Sequence, residues 1–255
     1  MIGVLEIGEA EARSPLGRAS PLTKLAVAVV WLVGLAYTTD VRPPLVLVAV
    51  ALLAGVLAGA IPLARFARGL ALLWIAALGI ATFNILFASA NANPAAVELI
   101  RLGPLRLTEP AFLAGAGLGA RVFAIAAVGV AFTLTTDSTR LVDALVQQGH
   151  VPERFGYGAL AAYQAIPRLA DDLATLRQAR RIRGLRGSWH PRLFVGLLVL
   201  AIRHGDRLAL AMDARGFGGG PRTRYRELHW QPLDLAITLG GLASLVAALA
   251  TTRLQ

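Results

Sequence analysis

Apolar residues gather into long segments along much of the chain, with short polar stretches between them. Four segments occupy residues 25–39, 45–60, 70–88 and 111–135, and a fifth occupies residues 233–250. A membrane-spanning helix needs about 20 apolar residues, with a range of about 17–25, so the first two segments are short for that role. The prolines Pro43 and Pro44 between them indicate a tight turn rather than one continuous helix. The pattern therefore predicts an all-α polytopic membrane protein with about five transmembrane helices.

The region between the fourth and fifth apolar segments has a different pattern. Apolar residues recur there at helical spacing within polar surroundings. The spacing predicts four helices, over residues 137–149, 155–166, 167–183 and 191–215. Within the last of them, residues 193–202 are apolar but too few to cross a membrane. We expect that stretch to pack against protein or to lie at the membrane interface.

The composition agrees with a membrane protein and limits its chemistry. Of the 255 residues, 56% are hydrophobic and 16% are charged, whereas soluble domains are about half apolar and a quarter charged. The absence of cysteine excludes disulfides and thiolate metal sites. A net charge of +10 is compatible with nucleic-acid binding, but in a membrane protein basic cytoplasmic loops explain it first. We therefore expect membrane lipid, and no nucleic acid, among the partners.

The positions of the basic residues predict the orientation of the chain. Basic residues precede the first apolar segment, and Arg65 and Arg68 separate the second from the third. Cytoplasmic loops are rich in such residues, so both regions and the N-terminus are expected in the cytoplasm. Residues 136–232 contain fifteen arginines and are expected on the same side. This predicts a membrane domain of four spans at 1–135, a cytoplasmic module at 136–232, and a last span within 233–255 that leaves the C-terminus outside.

The fourth apolar segment contains a charge at a position where a charge is costly. Arg121 lies ten residues into this segment, and ionisable residues within a membrane are functional candidates by default. Gly115 and Gly119 would let a neighbouring helix approach closely. Arg121 is accordingly a candidate intramembrane functional charge. The competing interpretation is that it reaches a lipid headgroup, or a polar partner such as Asn84, and serves packing alone.

The sequence contains no recognisable catalytic, metal or phosphate-binding constellation. The four histidines are scattered, without the i, i+4 spacing or the neighbouring acids of a metal site. The pair Asp171 and Asp172 is explained as negative charge at a helix start. The glycine-rich residues 216–220 come after a predicted helix rather than a strand and lack the lysine of a phosphate-binding loop. We expect no catalytic residue, no metal and no ATP site in this chain.

Two short motifs in the arginine-rich region are more informative. Each places an arginine and a glycine at the end of a predicted helix. Such residues are ordinary helix-ending signals, and a single ending of this kind would mean no more than that. Two of them within the same region of a membrane protein suggest paired helix tips that dock into another protein. The residues concerned are Ile182, Arg183 and Gly184 in the first motif and Ala214, Arg215 and Gly216 in the second.

These motifs, with others, resemble a known family. The matching stretches occur in the family's order, at residues 20–25, 135–145, 162–167, 178–184 and 211–217. They are similar to the transmembrane T component of energy-coupling factor transporters, the vitamin and cobalt or nickel importers of prokaryotes. The resemblance covers most of the chain from Ser20 onward. The first motif departs from the usual Ala-Arg-Gly in having isoleucine at position 182, which leaves the arginine and the glycine in place.

The resemblance implies a non-catalytic subunit of the prokaryotic cell membrane. The helices that end at Arg183 and Arg215 would be coupling helices, whose tips enter grooves on two ATP-binding cassette ATPase subunits and meet acidic groups there. ATP and magnesium would bind to those ATPases, and this chain would hold no cofactor. Closure of the ATPase pair would move the tips and, through them, a separate substrate-binding membrane subunit, the S component. That component would choose the vitamin or metal, and the two ATPases would be identical or different chains.

Two other classes stay open on the sequence. An ordinary ABC permease lines its own substrate path and has one coupling helix, which the paired arginine–glycine endings disfavour. A membrane-embedded enzyme is disfavoured because the ends of the spans lack a polar catalytic cluster.

Overall fold

The computed structural model describes residues 13–38, 40–93, 95–102, 105–185, 190–220 and 226–252. Both chain termini, whose sides of the membrane the charge pattern predicts, lie outside these ranges. The chain divides into two compact units. The first unit combines the residues up to Leu141 with those from His229 onward, and the second unit is Val142–Leu228. The second unit thus begins and ends a few residues inside the range 136–232 expected for the cytoplasmic module.

Helices dominate both units, and proline starts many of them. In chain order, the helices and strands are α1 (Pro15–Arg18), α2 (Pro21–Ala36), α3 (Arg42–Leu53), α4 (Leu63–Phe87), β1 (Glu98–Leu102), β2 (Leu105–Thr108), α5 (Glu109–Thr135), α6 (Ser138–Gln147), α7 (Glu153–Gln164), α8 (Ile166–Ile182), α9 (Pro191–Ala214) and α10 (Pro232–Ala250). A π-helical turn, Ala54–Ala58, extends α3, and a 3₁₀ turn, Ser89–Ala92, comes after α4. Proline stands in the first turn of α1, α2, α3, α5, α8, α9 and α10. Its missing N–H is not needed there, so it starts a helix without loss of a hydrogen bond.

The helices of the first unit pack around an apolar core. α4 lies along α5, α3 also packs on α5, and α10 packs on α2 and α3. The core includes the buried side chains of Trp31, Leu35, Leu47, Phe66 and Leu134. Because lipid tails are as apolar as these side chains, close van der Waals packing rather than removal from water stabilises such a core within a membrane.

The close approach expected at Gly115 and Gly119 is confirmed, with α4 as the neighbouring helix. A Cβ added at Gly115 would lie 2.9 Å from the backbone nitrogen of Ile85, and one added at Gly119 would lie 2.7 Å from the Cβ of Ala81. Because no real side chain tolerates such distances, the two glycines set how closely α4 and α5 pack.

Three helical segments are long and apolar enough to cross a membrane, judged by length and composition. They are Leu63–Ala92, Glu109–Thr135 and Pro232–Ala250. Two further apolar helices, Pro21–Ala36 and Arg42–Ala58, are shorter. The helical membrane class predicted from the sequence is confirmed, and the number of five spans stays a prediction. The helix that contains the apolar segment 70–88 begins earlier than that segment, at Leu63. Pro62 is its N-cap residue, and the first turns include Arg65 and Arg68.

A short antiparallel hairpin, absent from the sequence-based prediction, lies between α4 and α5. β1 pairs with β2, and Arg106 forms an ion pair with Glu98 across them. Asn91 fixes the hairpin, since its Oδ1 accepts hydrogen bonds from the backbone N–H and the hydroxyl of Thr108, each at 3.0 Å. The same amide donates to the carbonyl oxygen of Ile85 at 2.8 Å, which ties the hairpin to the end of α4.

The second unit is held by polar contacts and contains few buried side chains. Tyr157 donates its hydroxyl to Asp143 at 3.0 Å. Gln147 donates to the carbonyl oxygen of Arg226 at 2.9 Å and accepts from the N–H of Leu228 at 3.0 Å. α8 packs on α9, yet α8 has no buried residue and α9 has one, Leu193. Several apolar side chains in the first half of α9 are therefore exposed, namely Phe194, Val195, Leu198, Val199 and Ile202.

Candidate functional site

The end of α8 is closed by its own backbone. Arg183 is the C-cap residue, and Gly184 comes next with a φ of +72°. The N–H of Gly184 donates to the carbonyl oxygen of Arg181 at 3.0 Å, and that of Leu185 donates to Arg180 at 3.1 Å. This pair of bonds is a Schellman motif, with the glycine in the left-handed position that the motif requires.

The end of α9 repeats the same geometry. Arg215 is the C-cap residue, and Gly216 has a φ of +69°. The N–H of Gly216 donates to Asp213 at 2.9 Å, and that of Phe217 donates to Met212 at 3.0 Å. The arginine–glycine pairs predicted to end two helices do so with the same cap, position for position.

The shared cap has a consequence for the arginines. Two of the carbonyl groups at each helix end already accept N–H groups of residues beyond the helix, so these ends need no side chain to satisfy those carbonyls. The side chain of Arg183 makes no hydrogen bond and no ion pair with any residue that the structure describes. A guanidinium is always charged and pairs with a carboxylate through two parallel bonds. Arg183 is therefore available to a partner.

Both ends are open to contact from outside the second unit. The six predicted docking residues, 182–184 and 214–216, are all exposed. Ile182 is 88% exposed, so a large aliphatic side chain lies at the surface beside the charge of Arg183. An apolar side chain next to an arginine on a rigid helix end suits a groove that combines apolar walls with an acidic group.

The two ends differ in the residues that come after the glycine. Gly184 precedes Leu185, which is exposed. Gly216 precedes Phe217, which is partly buried, and then Gly218, with a φ of +77°. The guanidinium of Arg154 lies against Gly218, where a Cβ would collide with it. The second end is thus supported by α7 through Arg154.

The two helices that end at these caps are long. α8 has 17 residues and α9 has 24. At 1.5 Å per residue these are rods of about 26 Å and 36 Å.

Arg121 lies in α5 of the first unit and is partly buried. Its Nε is buried and has no hydrogen-bond partner within the described part of the chain. The amide of Asn84 donates to Ile80 in its own helix at 2.9 Å, so it serves α4 rather than Arg121. The functional role of Arg121 stays a prediction.

Sequence reasoning missed a buried group of charged residues in the first unit. Lys24 is 7% exposed, and its Nζ donates to the carbonyl oxygen of Thr135 at 2.6 Å. Asp234 is 3% exposed and accepts from the N–H of Ser20 at 2.7 Å and of Gln231 at 2.9 Å. We call Lys24, Asp234 and these partners the polar junction. The available signal was a lone lysine at the start of the first span and an acid in the first turn of the last.

Arg140 fastens the same part of the first unit. Its guanidinium donates to the carbonyl oxygen of Gly17, and to that of Arg18 at 3.1 Å. Those carbonyls end α1, so a side chain from the start of α6 caps a helix more than 120 residues earlier in the sequence.

Comparison with known proteins agrees with these features. The chain matches the CbiQ family model, described as cobalt transport protein, over residues 12–225. It is 28% identical over 243 residues to the energy-coupling factor transporter transmembrane protein EcfT of Heliobacterium modesticaldum, a match that covers 89% of each chain. The EcfT protein of Limosilactobacillus fermentum is 30% identical over 241 residues, 87% of each chain.

A third relative has a different name and a greater length. A putative ABC transporter ATP-binding protein of Bifidobacterium longum is 28% identical over 154 residues, which are 54% of this chain and 19% of that protein. The family model covers most of this chain, and the two EcfT relatives are covered over nearly their full length. The chain therefore belongs to the CbiQ family, as a transmembrane component of the energy-coupling factor transporter type.

Proposed function

We propose that this chain couples two ATP-binding cassette ATPase subunits to a separate substrate-binding membrane subunit of an importer. The observation that carries the proposal is the pair of exposed, identically capped helix ends at Arg183 and Arg215. Each end would enter a groove on one ATPase, where its arginine pairs with acidic side chains. ATP and magnesium would bind to the ATPases, whose closure would displace α8 and α9 along their length.

The relative from Bifidobacterium longum supports ATPase partners. It is named as an ATP-binding protein, and 19% of its length is similar to this chain. A segment similar to this chain within a protein named as ATP-binding is what we would expect if the two act together in one transporter. The substrate would be chosen by the membrane partner, as a vitamin or as cobalt or nickel.

We place the subunit in the prokaryotic cell membrane with five spans, the N-terminus in the cytoplasm and the C-terminus outside. Because the chain has no cysteine, single cysteines introduced one at a time can be labelled without background. A cysteine in place of Tyr37, which is exposed, should react with an impermeant reagent applied from outside the cell, and a cysteine in place of Arg65 should not. The reverse result would contradict this topology.

Charge reversal at the two ends tests the proposal. Arg183→Glu and Arg215→Glu each place a negative charge against the proposed acidic groups. Loss of one partner of a desolvated charge pair typically costs about 2–5 kcal/mol, so each variant should weaken ATPase binding by at least about thirtyfold. The measurement is co-purification of the ATPases with the chain, with ATP hydrolysis and substrate uptake then measured in vesicles.

Two arginines on the same helices are matched controls. Arg168 near the start of α8 and Arg203 within α9 are exposed, and neither is at a helix end. Arg168→Glu and Arg203→Glu change the net charge by the same amount as the variants at the helix ends. They should change the affinity for the ATPases by no more than about twofold, because salt screens a general effect of charge. Normal assembly and uptake in the Arg183→Glu, Arg215→Glu double variant would overturn the proposal and leave both ends as ordinary helix caps.

A further inference from the structure

An apolar cavity of about 320 Å³ lies among α2, α3, α5 and α10 of the first unit. Apart from Lys24 and Thr135, the residues that line it are apolar or glycine. Its size falls in the range of about 300–1,000 Å³ that is typical of small-ligand sites. A cavity with such walls is suited to hydrocarbon and not to water, which needs several polar partners.

Lys24 stands at one end of the cavity and is poorly paired. It is only 7% exposed, and its ammonium makes one hydrogen bond, to the neutral carbonyl oxygen of Thr135. No residue in the described ranges forms an ion pair with it. An ammonium has three donors, and a buried charge is costly unless it is paired. The ammonium therefore has hydrogen-bonding capacity left for an anion.

The charged neighbours of Lys24 leave room for that anion. Asp234 attracts the ammonium and Arg140 repels it. Each oxygen of Asp234 already accepts a backbone N–H, from Ser20 and from Gln231. A negatively charged group at this end would be attracted by Lys24 and Arg140 and repelled by Asp234. Arg140 and Asp234 are both engaged in hydrogen bonds, so Lys24 would be the donor to that group.

The cavity is long enough for part of a lipid chain. It runs along α2 from Lys24 to Trp31, which are seven residues or about 10 Å apart along the helix. The indole N–H of Trp31 donates to the carbonyl oxygen of Gly241 at 2.8 Å, so its polar atom is satisfied and its ring serves as apolar wall. The site therefore has a cationic end and an apolar body.

We infer that this cavity binds an acyl chain of an anionic membrane phospholipid, with the phosphate beside Lys24 and the chain directed toward Trp31. Anionic lipids are enriched in the cytoplasmic leaflet, where one basic residue near the surface contributes about a fivefold preference for them. The lipid would fill the space between four helices and pair the ammonium. This inference uses the proposed orientation, which puts Lys24 at the cytoplasmic end of its helix, and it stands or falls independently of the ATPase contacts.

Quenching of tryptophan fluorescence tests this inference in the full chain. Trp74, Trp189 and Trp230 are replaced by phenylalanine, which leaves Trp31 as the single reporter. The chain is reconstituted in vesicles of phosphatidylcholine and phosphatidylglycerol at one fixed ratio, with bromine on the acyl chains of one lipid or of the other. Quenching of Trp31 by brominated phosphatidylglycerol should exceed that by the phosphatidylcholine label by about fivefold at equal concentration.

Three variants separate this site from general contact with lipid. Gly240 lines the cavity, and a Cβ there meets nothing within 4 Å, so Gly240→Leu should fill the space and abolish quenching by either label. Gly129→Leu is the matched control, because Gly129 is equally open but does not line the cavity. Lys24→Gln should remove the preference for phosphatidylglycerol, while acyl chains of either lipid still enter the cavity. The thermal midpoint of each variant shows whether it is folded.

Two results would overturn the inference. One is equal quenching of Trp31 by the two brominated lipids in the protein that retains Lys24, which would mean that the charge of Lys24 does not favour the anionic lipid. The other is unchanged quenching in the folded Gly240→Leu variant, which would place the bromine outside the cavity. A single-tryptophan variant that retains only Trp74, which is 48% exposed, should show no preference beyond the bulk lipid ratio.

Discussion

The two units use charge in opposite ways. In the first unit, the charges of Lys24 and Asp234 are buried, and each makes hydrogen bonds to backbone groups far away in the sequence. In the second unit, Arg183 and Arg215 are exposed at helix ends that the backbone has already closed. Buried charges are costly unless their hydrogen bonds are satisfied, and the bonds of Lys24 and Asp234 join helices that are distant in the sequence. The side chain of Arg183 makes no hydrogen bond or ion pair with a described residue, so it does little for the fold and is suited to a partner.

This contrast makes a testable distinction. Changes in the polar junction should lower the stability of the chain itself. A change at Arg183 should leave stability intact and impair assembly. The distinction would fail if a variant in the polar junction impaired assembly without lowering stability, or if a variant at the helix end lowered stability without impairing assembly.

The largest effect on stability is expected for Asp234→Ala. The substitution leaves the N–H of buried Ser20 without its acceptor, whereas the N–H of Gln231 is at an exposed position where water can replace the lost bond. A hydrogen bond to a charged group contributes about 1.5–3 kcal/mol. We expect a loss of about 1.5–3 kcal/mol, measured as a lower thermal midpoint in detergent. Asp206→Ala, at an exposed position of α9, is the control and should change stability by less than about 0.5 kcal/mol. Equal effects of the two substitutions would show that the polar junction is not structural.

An intermediate effect is expected for Gly184→Ala and Gly216→Ala. Both glycines have a φ near +70°, where an L-residue costs roughly 1–2 kcal/mol. The strain should loosen the last turn of α8 or α9, which hydrogen exchange of the amides at 184–185 or 216–217 would detect. Gly205→Ala, in the middle of α9 with open space around it, should instead stabilise the helix by about 0.5–1 kcal/mol. Unchanged exchange at both ends would mean that the caps adapt and that glycine is not required.

The smallest effect on stability is expected for Arg183→Ala. Its side chain contacts no described residue through a hydrogen bond or ion pair, so the thermal midpoint should change by less than the equivalent of about 0.5 kcal/mol. ATPase binding should nevertheless weaken by at least about thirtyfold, since the partner's acid is left unpaired. A destabilised chain with intact assembly would reverse the interpretation of this residue.

The sequence predicted the features that depend on local signals. Runs of apolar residues located α4, α5 and α10, and an arginine with a glycine after it located the ends of α8 and α9. The spacing of Gly115 and Gly119 predicted a close helix contact, because small residues four apart lie on one helix face.

The features that it missed depend on distant residues or on very short elements. The polar junction joins Ser20 to Asp234, and Lys24 to Thr135, which are more than 100 residues apart. No local pattern announces such a pairing. The hairpin of β1 and β2 has strands of five and four residues, too short for alternation to be distinguished from a polar loop. A glycine–proline pair at 103–104, between leucines, was the available turn signal.

The central claim is that the two helix ends of one chain contact two different ATPases. The most direct measurement is photo-crosslinking of the assembled complex, with a reactive amino acid at Ile182, at Ala214 or at both, and with Tyr37, which is 86% exposed at the end of α2, as the control position. Each single variant should yield a product of one chain and one ATPase, the double variant a product of one chain and two ATPases, and the control no ATPase product. A double variant that never captures more than one ATPase, or ends that crosslink only to a second copy of this chain, would contradict the account.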